Sequence, residues 1–489
     1  MSSSSSSALA ARFAQAVDGL RAPCPHDRFA IACSGGLDSM VLLHLAAAYA
    51  RAHGAVLHVL HVHHGLSEHA DAWRDHVAAA SATTGARFDA RRVDVRHSGS
   101  GTEAAARKLR YAALGAMCQA HGVRLMLTAH HLDDQAETVL LQLLRGSGTA
   151  GLSGMDAANA APDLLANPDL VMARPLLRHS RADLEQYAAA HGIDWVEDES
   201  NRDPRFARNA LRLQVMPALA QAFPGFQQRF ARSAAHAQSA QRLLTELAEQ
   251  DLRASVVDEM RDQMRDQMRD DLQGPLDVTV LRTLSLDRVT NLLRHWFGVR
   301  GLAMPSTAWL AELVTQLFEA RPDAQLLVTH PDCHLRRHRE RLYITPKLPQ
   351  LAGMRDPDDA GVEGLAVKEG QRFTWAGQAQ LDFPDYGGVL HFDAAAAGAG
   401  AALDAAWLRE QCLQIDFRKG GERLKLAANR PTRSLKAHYQ SGDVPAWERA
   451  RLPVVWCGKA LLFAAGIGTD CAHAGAPGAA AVTLRWQAY

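Results

Sequence analysis

Three observations in the amino-acid sequence predict an α/β fold whose first domain is a doubly wound parallel sheet. Between residues 28 and 150, short apolar runs alternate with longer helical patterns, and strands separated by helices imply parallel pairing. Polar clusters at 34–39, 63–65 and 130–134 each follow an apolar run. They therefore fall beyond the carboxyl ends of strands, where such sheets bind ligands. Residues 222–350 then change to a mostly helical pattern, giving an α-rich middle domain.

A chain of 489 residues with 47% hydrophobic residues is long enough for about three domains. Lys+Arg and Asp+Glu both number 53, so net charge alone points to no partner. Seven cysteines occur without a CxxC pair, which fits a reducing, cytoplasmic compartment better than a disulfide framework. The spacing offers no zinc-ribbon or iron–sulfur site. His330, Cys333, His334 and His338 lie close together; a solvated turn is the expected reading and a metal site the alternative. No apolar run reaches a membrane-spanning length. Residues 1–25, serine- and alanine-rich, are expected to be a disordered leader.

In order, strands are expected at 29–33, 55–63, 88–95 and 124–129, and helices at 39–53, 70–84 and 102–121, with Thr102 as a cap. The first turn reads Ser34-Gly35-Gly36-Leu37-Asp38-Ser39. Adjacent glycines let the backbone approach a ligand closely. The turn's N–H groups and the following helix start attract an anion, with Ser34 and Ser39 as hydroxyl donors. Asp38 would repel a phosphate unless a cation lay between them, which suggests Mg²⁺; its other reading is a favourable first-turn charge. The loop lacks the Lys-Ser/Thr pair of a Walker A motif.

The cluster His130-His131-Leu132-Asp133-Asp134 is the second candidate. Asp134, Glu137 and Thr138 share one helical face. Carboxylates beside an anion site can hold a cation or orient a reacting group, although a capping role accounts for part of the pattern. A Gly-rich stretch at 145–155 reads by composition as a flexible connector. Arg174-Pro-Leu-Leu, a helix at 180–192, Asp198-Glu-Ser-Asn201 and the cations Arg202, Arg205, Arg208 and Arg212 follow.

SGGLDS resembles the PP-loop of the ATP pyrophosphatase superfamily. With AHHLDDQAET, LLRGSGTAGLSGM, RPLL, DESN and RNALR in order, residues 28–220 resemble the tRNA(Ile)-lysidine synthase family. The resemblance implies ATP and Mg²⁺ as cofactors. It implies adenylation of the wobble cytidine of the CAU-anticodon isoleucine tRNA, then attack by L-lysine and loss of AMP. It casts Ser34, Gly35, Gly36, Leu37, Asp38 and Ser39 as the ATP cradle, with Asp38 on Mg²⁺. Asp134 is the first choice for positioning cytidine or the lysine amine, and Asp133 and His131 the second. Arg208 would steady the intermediate or the α-phosphate, and the 146–155 loop would close over the site. Some members carry Arg where this chain has Ser67. Two rivals are a tRNA thiolase, disfavoured by the missing CxxC, and a non-catalytic binding module, which would not need three carboxylates.

Further on, 223–251 suits a linker helix, and the Met-Arg-Asp-Gln repeat at 260–270 suits a tolerated surface insertion. Residues 411–459 hold ten Lys/Arg against four Asp/Glu, with Tyr439 and Trp447 interleaved. That composition fits an RNA surface, with Trp447 expected in the core. The resemblance makes this region a small β-rich C-terminal domain. The expected division is 1–25 leader, 26–221 catalytic domain, 222–350 linker helix and α-rich tRNA-contacting domain, 351–405 linker, and 406–489 basic tRNA-binding domain. Oligomeric state, up to a homodimer, is left open, and no membrane is expected as a partner.

Overall fold

The computed structural model describes residues 2–21, 27–63, 65, 69–93, 102–197, 203–257, 274–319, 321, 326–347, 370–395, 402–473 and 481–489. The 260–270 repeat, Ser67, Arg202 and Asp198–Asn201 lie outside them. The chain divides into two compact units, Met1–Glu249 and Gln250–Tyr489. Among the described residues no helix is long and apolar enough to cross a membrane, and the cysteines are free thiols.

The first unit begins with α1 (Ser2–Arg21), β1 (Arg28–Ala32), α2 (Leu37–His53), β2 (Val56–His63), α3 (Ala70–Thr84) and β3 (Arg87–Arg92). It continues with α4 (Thr102–Ala120), β4 (Leu125–Leu127), α5 (Leu132–Leu144), α6 (Thr149–Leu152), β5 (Ala158–Ala160), α7 (Pro162–Leu165) and β6 (Val171–Ala173). Then come α8 (Arg181–His191), α9 (Ala207–Ala210), a π-helical turn (Leu211–Val215), α10 (Met216–Ala222) and α11 (Phe226–Ser255). The sheet runs β3-β2-β1-β4-β6-β5. All pairings are parallel, as expected, except that an additional edge strand, β5, runs antiparallel to β6.

The order reverses at β1, which pairs with both β2 and β4. Ile31 lies opposite Leu127, so the turns that follow β1 and β4 emerge side by side. Topology thus brings SGGLDS next to HHLDD. Strand alternation buries Phe29 and Ile31 against α1, α2 and α8, while Ala30 faces Tyr111, Leu114 and Met117 of α4.

The expected disordered leader is overturned for residues 2–21, which form α1. Leu9, Phe13 and Val17, spaced by four, are buried in the sheet's core. Each such burial contributes about 1.5–3 kcal/mol, and the serine-rich composition masked the stripe.

In the second unit, helices Leu286–Val299 and Thr307–Glu319 bury Leu292, Trp296, Phe297 and Leu313. Beside them lies an antiparallel sheet ordered Leu276–Asp277, Arg341–Pro346, Cys333–His338, Leu327–Thr329. The middle region is therefore helical with a sheet of its own. The expected solvated turn is instead a strand with Cys333 buried, and His330 packs edge-on against Phe297 and Trp309. Three antiparallel sheets among the described residues, of five, four and two strands, close the chain, as the β-rich expectation required. The 351–405 linker is overturned where it is described: Gln371–Phe373, Gln380–Phe383, Gly388–Ala394 and Leu403–Asp404 are strands, and Trp375, Phe383 and Leu390 are core.

Candidate active site

The glycine turn after β1 is braced from inside. The Ser39 hydroxyl accepts hydrogen bonds from the N–H groups of Ser34 (3.2 Å) and Gly35 (3.1 Å) and donates to the Gly36 carbonyl (2.9 Å). Its expected role as a free phosphate donor is therefore corrected: Ser39 shapes the loop. Gly35 has φ +95°, and a Cβ there would lie 2.9 Å from the Val196 side chain. Gly36 caps α2 with an ordinary φ of −73°, and its nearest would-be Cβ contact is 3.7 Å. Packing therefore requires glycine at 35 and leaves space at 36 for a ligand.

Asp38 stands in the first turn of α2. Its Oδ1 is buried without a hydrogen-bond partner. Its Oδ2 lies 3.6 Å from His131 Nε2 and 3.8 Å from Arg181 Nη1.

His131 is the N-cap of α5, its backbone N–H donating to Asp134 Oδ2 at 3.1 Å. The buried imidazole sits among three carboxylates: Asp134 at 3.4 Å, Asp38 at 3.6 Å and Asp133 at 3.7 Å. These are ionic contacts longer than aligned hydrogen bonds. Burial pushes His131 toward its neutral form, but Asp38, Asp134 and Asp133 outweigh it, and the net shift is upward. Burial likewise pushes the Asp134 carboxyl up, but His131, Arg208 and His130 outweigh it, and the net shift is downward. His130, bonded to Thr128 Oγ1 at 2.8 Å, is held by burial down to about 4, with Asp134 opposing.

One turn along α5, Glu137 is almost fully buried. Arg208 Nε donates to it at 2.8 Å, and Arg212 donates through Nε at 2.8 Å and Nη2 at 3.0 Å. Arg212 Nη2 also reaches Asp134 Oδ1 at 3.2 Å. Arg212 lies in the π-helical turn, a feature frequent at functional sites. Asp133 plays a different part. It accepts the Arg181 backbone N–H at 2.8 Å and the Gln227 amide at 3.2 Å, and so ties α5 to the starts of α8 and α11.

The loop expected to close over the site is pinned. The Gln135 amide pairs with the Met155 backbone in both directions (2.8 and 3.0 Å). Gln142 accepts from the Ser147 hydroxyl at 2.6 Å. Gln238 of α11 donates to the Ser153 carbonyl at 2.8 Å. Helix α11 is thus no bare linker: Phe226 and Ala234 are buried on the same side as Gln227 and Gln238.

The structure brings Ser34–Ser39, Asp38, His131, Asp133, Asp134 and Arg208 to one edge of the sheet. Sequence reasoning kept Arg212, with Arg208, as a cation available to an anionic group and set Glu137 on the Asp134 face of its helix, but gave neither Arg212 nor Glu137 a site role, and it missed Arg181. The signals were a carboxylate one turn after Asp134, and an arginine directly after the helix cap Ser180, where an acidic residue is usual. In the basic C-terminal region, Tyr439 is fully buried with its hydroxyl on the Ala465 carbonyl, so it cannot stack on a base. Trp447 is half-buried and not core as expected; it packs against Arg336, His338 and Tyr343. Arg418 and Arg449 are buried, while Lys419, Arg423, Arg430, Arg433, Lys436 and Lys459 are exposed.

Three family models match this chain: a PP-loop domain over residues 8–219, a TilS substrate binding domain over 276–343, and a TilS substrate C-terminal domain over 413–486. The tRNA(Ile)-lysidine synthase of Burkholderia pseudomallei is 44% identical over 462 residues, covering 91% of this chain and 90% of the relative. That of Ralstonia nicotianae is 42% identical over 445 residues, covering 90% and 89%. A crystal structure of a TilS C-terminal domain is 25% identical, covers 24% of this chain and 98% of that one, and has a TM-score of 0.21.

Proposed function

Since this chain belongs to the tRNA(Ile)-lysidine synthase family, we propose that it joins L-lysine to C2 of the wobble cytidine of the CAU-anticodon isoleucine tRNA, using ATP. The observation that carries the reading is one continuous charged network, running from Asp38 beside the glycine turn through His131 to Asp134 and Glu137.

The chemistry divides over that network. The C2 oxygen of cytidine attacks the α-phosphorus of ATP, and pyrophosphate leaves. The lysine ε-amine then attacks C2, loses a proton, and AMP leaves with the former oxygen. Gly36 offers its N–H group to the polyphosphate, while Gly35, whose N–H is taken by Ser39, shapes the turn. The unpartnered Asp38 Oδ1 suits Mg²⁺, which commonly takes one or two carboxylates plus phosphate oxygens. Bound there, the ion would neutralise phosphate charge. Among the described residues no group of three or more His, Cys, Asp or Glu is disposed to hold a metal by itself, in keeping with a shared protein–phosphate site. Asp134, kept ionised, orients the lysine amine or the cytidine. Arg208 and Arg212, fixed by Glu137, steady the negative charge that develops as each group leaves. The exposed cations between Lys419 and Lys459 neutralise tRNA phosphates.

The test is purified protein with labelled lysine, ATP, Mg²⁺ and the CAU-anticodon isoleucine transcript, with methionine tRNA alongside. Label entering the isoleucine transcript alone, with AMP and pyrophosphate released, is expected. ATP cleavage that moves label only with a different nucleophile would transfer the chain to a sister PP-loop activity. Asp134→Asn is expected to abolish labelling while filter-bound tRNA is retained.

A further inference from the structure

We infer that Arg181 is a polyphosphate-binding residue of this site, parked on Asp38 when no nucleotide is present. The inference rests on the ATP-binding reading of the glycine turn.

Three observations on Arg181 converge. Its backbone is fixed where α5 meets α8: the Asp133 carboxylate accepts its N–H at 2.8 Å, and Leu132 N–H donates to the His179 carbonyl at 2.8 Å. Its guanidinium stands 3.8 Å from Asp38 Oδ2 and 3.1 Å from Glu185, with its side chain 43% exposed. It is therefore held at its root and free to reorient at its tip. Third, it occupies the first position of α8, where a cation opposes the helix dipole. The cap is otherwise ordinary: Ser180 and Asp183 satisfy each other's backbone N–H groups. A residue that breaks a local rule inside a well-formed motif is a mark of function.

The helix start itself is not the anion site, because the Arg181 N–H is taken by Asp133 and the Asp183 N–H by Ser180. The guanidinium is the group that faces outward. At 3.8 Å its contact with Asp38 is loose, so an arriving phosphate, which accepts charge-assisted bonds from guanidinium in a bidentate geometry, competes well for it. Its departure leaves Asp38 Oδ2 facing His131 at 3.6 Å and Oδ1 still unpartnered. Asp133, expected to take part in the chemistry, acquires a positioning role: it sets where the guanidinium starts.

The test is equilibrium binding by calorimetry of ATP, inorganic pyrophosphate and AMP, each with Mg²⁺, to wild type, Arg181→Ala, Arg181→Lys and Glu185→Gln. Loss of one charge-assisted contact should weaken ATP and pyrophosphate about tenfold in Arg181→Ala, with AMP affected least and Arg181→Lys in between. Glu185→Gln should bind pyrophosphate as well as wild type or tighter. Unliganded melting temperatures report whether each variant is folded, and Arg181→Lys carries the comparison if the alanine variant is not. Equal or tighter pyrophosphate binding in Arg181→Ala would overturn the inference and make Arg181 only an occupant of Asp38. That result would leave the ligase reading intact, whereas a wild-type protein that binds neither ATP nor pyrophosphate would remove both.

Discussion

Arg212 grips Glu137 through two parallel hydrogen bonds, Nε to Oε1 at 2.8 Å and Nη2 to Oε2 at 3.0 Å. The carboxylate is 2% exposed, the guanidinium 32%. Arg208 takes the remaining approach at 2.8 Å. One buried acid therefore positions two cations that belong to a different stretch of chain, and Arg212 passes the link on to Asp134.

Removing that acid leaves two guanidiniums facing each other. Glu137→Ala is expected to destabilise the protein by about 2–3 kcal/mol, less than the roughly 3–5 kcal/mol for breaking a fully buried pair, because both arginines keep water on one side. Glu137→Gln retains an acceptor and should lose less. Urea unfolding followed by far-UV circular dichroism measures both. An alanine variant as stable as wild type would mean that water replaces the carboxylate at no loss.

The two glycines of the turn separate packing from ligand approach. Gly35→Ala forces a side chain into φ +95° and against Val196, so both stability and ATP affinity should fall, the former by roughly 1–3 kcal/mol. Gly36→Ala meets nothing closer than 3.7 Å, so its melting temperature should stay within about a degree of wild type while ATP binding drops. If Gly36→Ala bound ATP normally, close backbone approach at that residue would be refuted.

Much of this was legible in the sequence, for identifiable reasons. Helix α3 and strand β2 carry local patterns, and the Gly-Gly turn between β1 and α2 announces its own geometry. The neighbourhood of SGGLDS and HHLDD followed from parallel topology alone. What stayed hidden depends on partners distant in sequence. Leu9, Phe13 and Val17 form a stripe only once the β1–α2 layer is there to receive it. Glu137 looks like an exposed helix carboxylate until Arg208 and Arg212 arrive from 71 and 75 residues away. Size alone assigns Trp447 to the core, yet it lies half-buried against Arg336 and Tyr343, on neighbouring strands of one sheet in the second unit.

Helix α11 holds the Gly-rich loop through Gln238, whose amide donates to the Ser153 and Met155 carbonyls (2.8 and 3.2 Å). Gln238→Ala should speed proteolytic cleavage within residues 146–155 severalfold and leave the global melting temperature nearly unchanged, because Gln135 still pairs with Met155. Gln135→Ala should do both damages, since Gly154 packs directly on its amide. Limited proteolysis with mass mapping reads the loop. Cleavage rates equal to wild type in both variants would show that the loop holds itself.

The histidines set an acid limit on the fold. Burial holds His58 and His130 each to about 4, against about 6.5 in an unfolded chain. Their folded-state values are depressed, so the unfolded chain binds more protons in between, and stability must rise with pH there. Their contribution is complete above about pH 6.5 and is lost as pH falls toward 4. Each histidine can add up to about 1.4 kcal/mol per pH unit to the slope. His58 is the better probe, because it lies on β2 away from the charged network, its ring 4.7 Å from that of His121. His58→Gln should flatten the dependence of unfolding free energy on pH between 6.5 and 4, while the wild-type chain loses stability steadily. Parallel slopes for the two proteins would show that His58 picks up its proton without unfolding, through a rearrangement that lets water reach the ring.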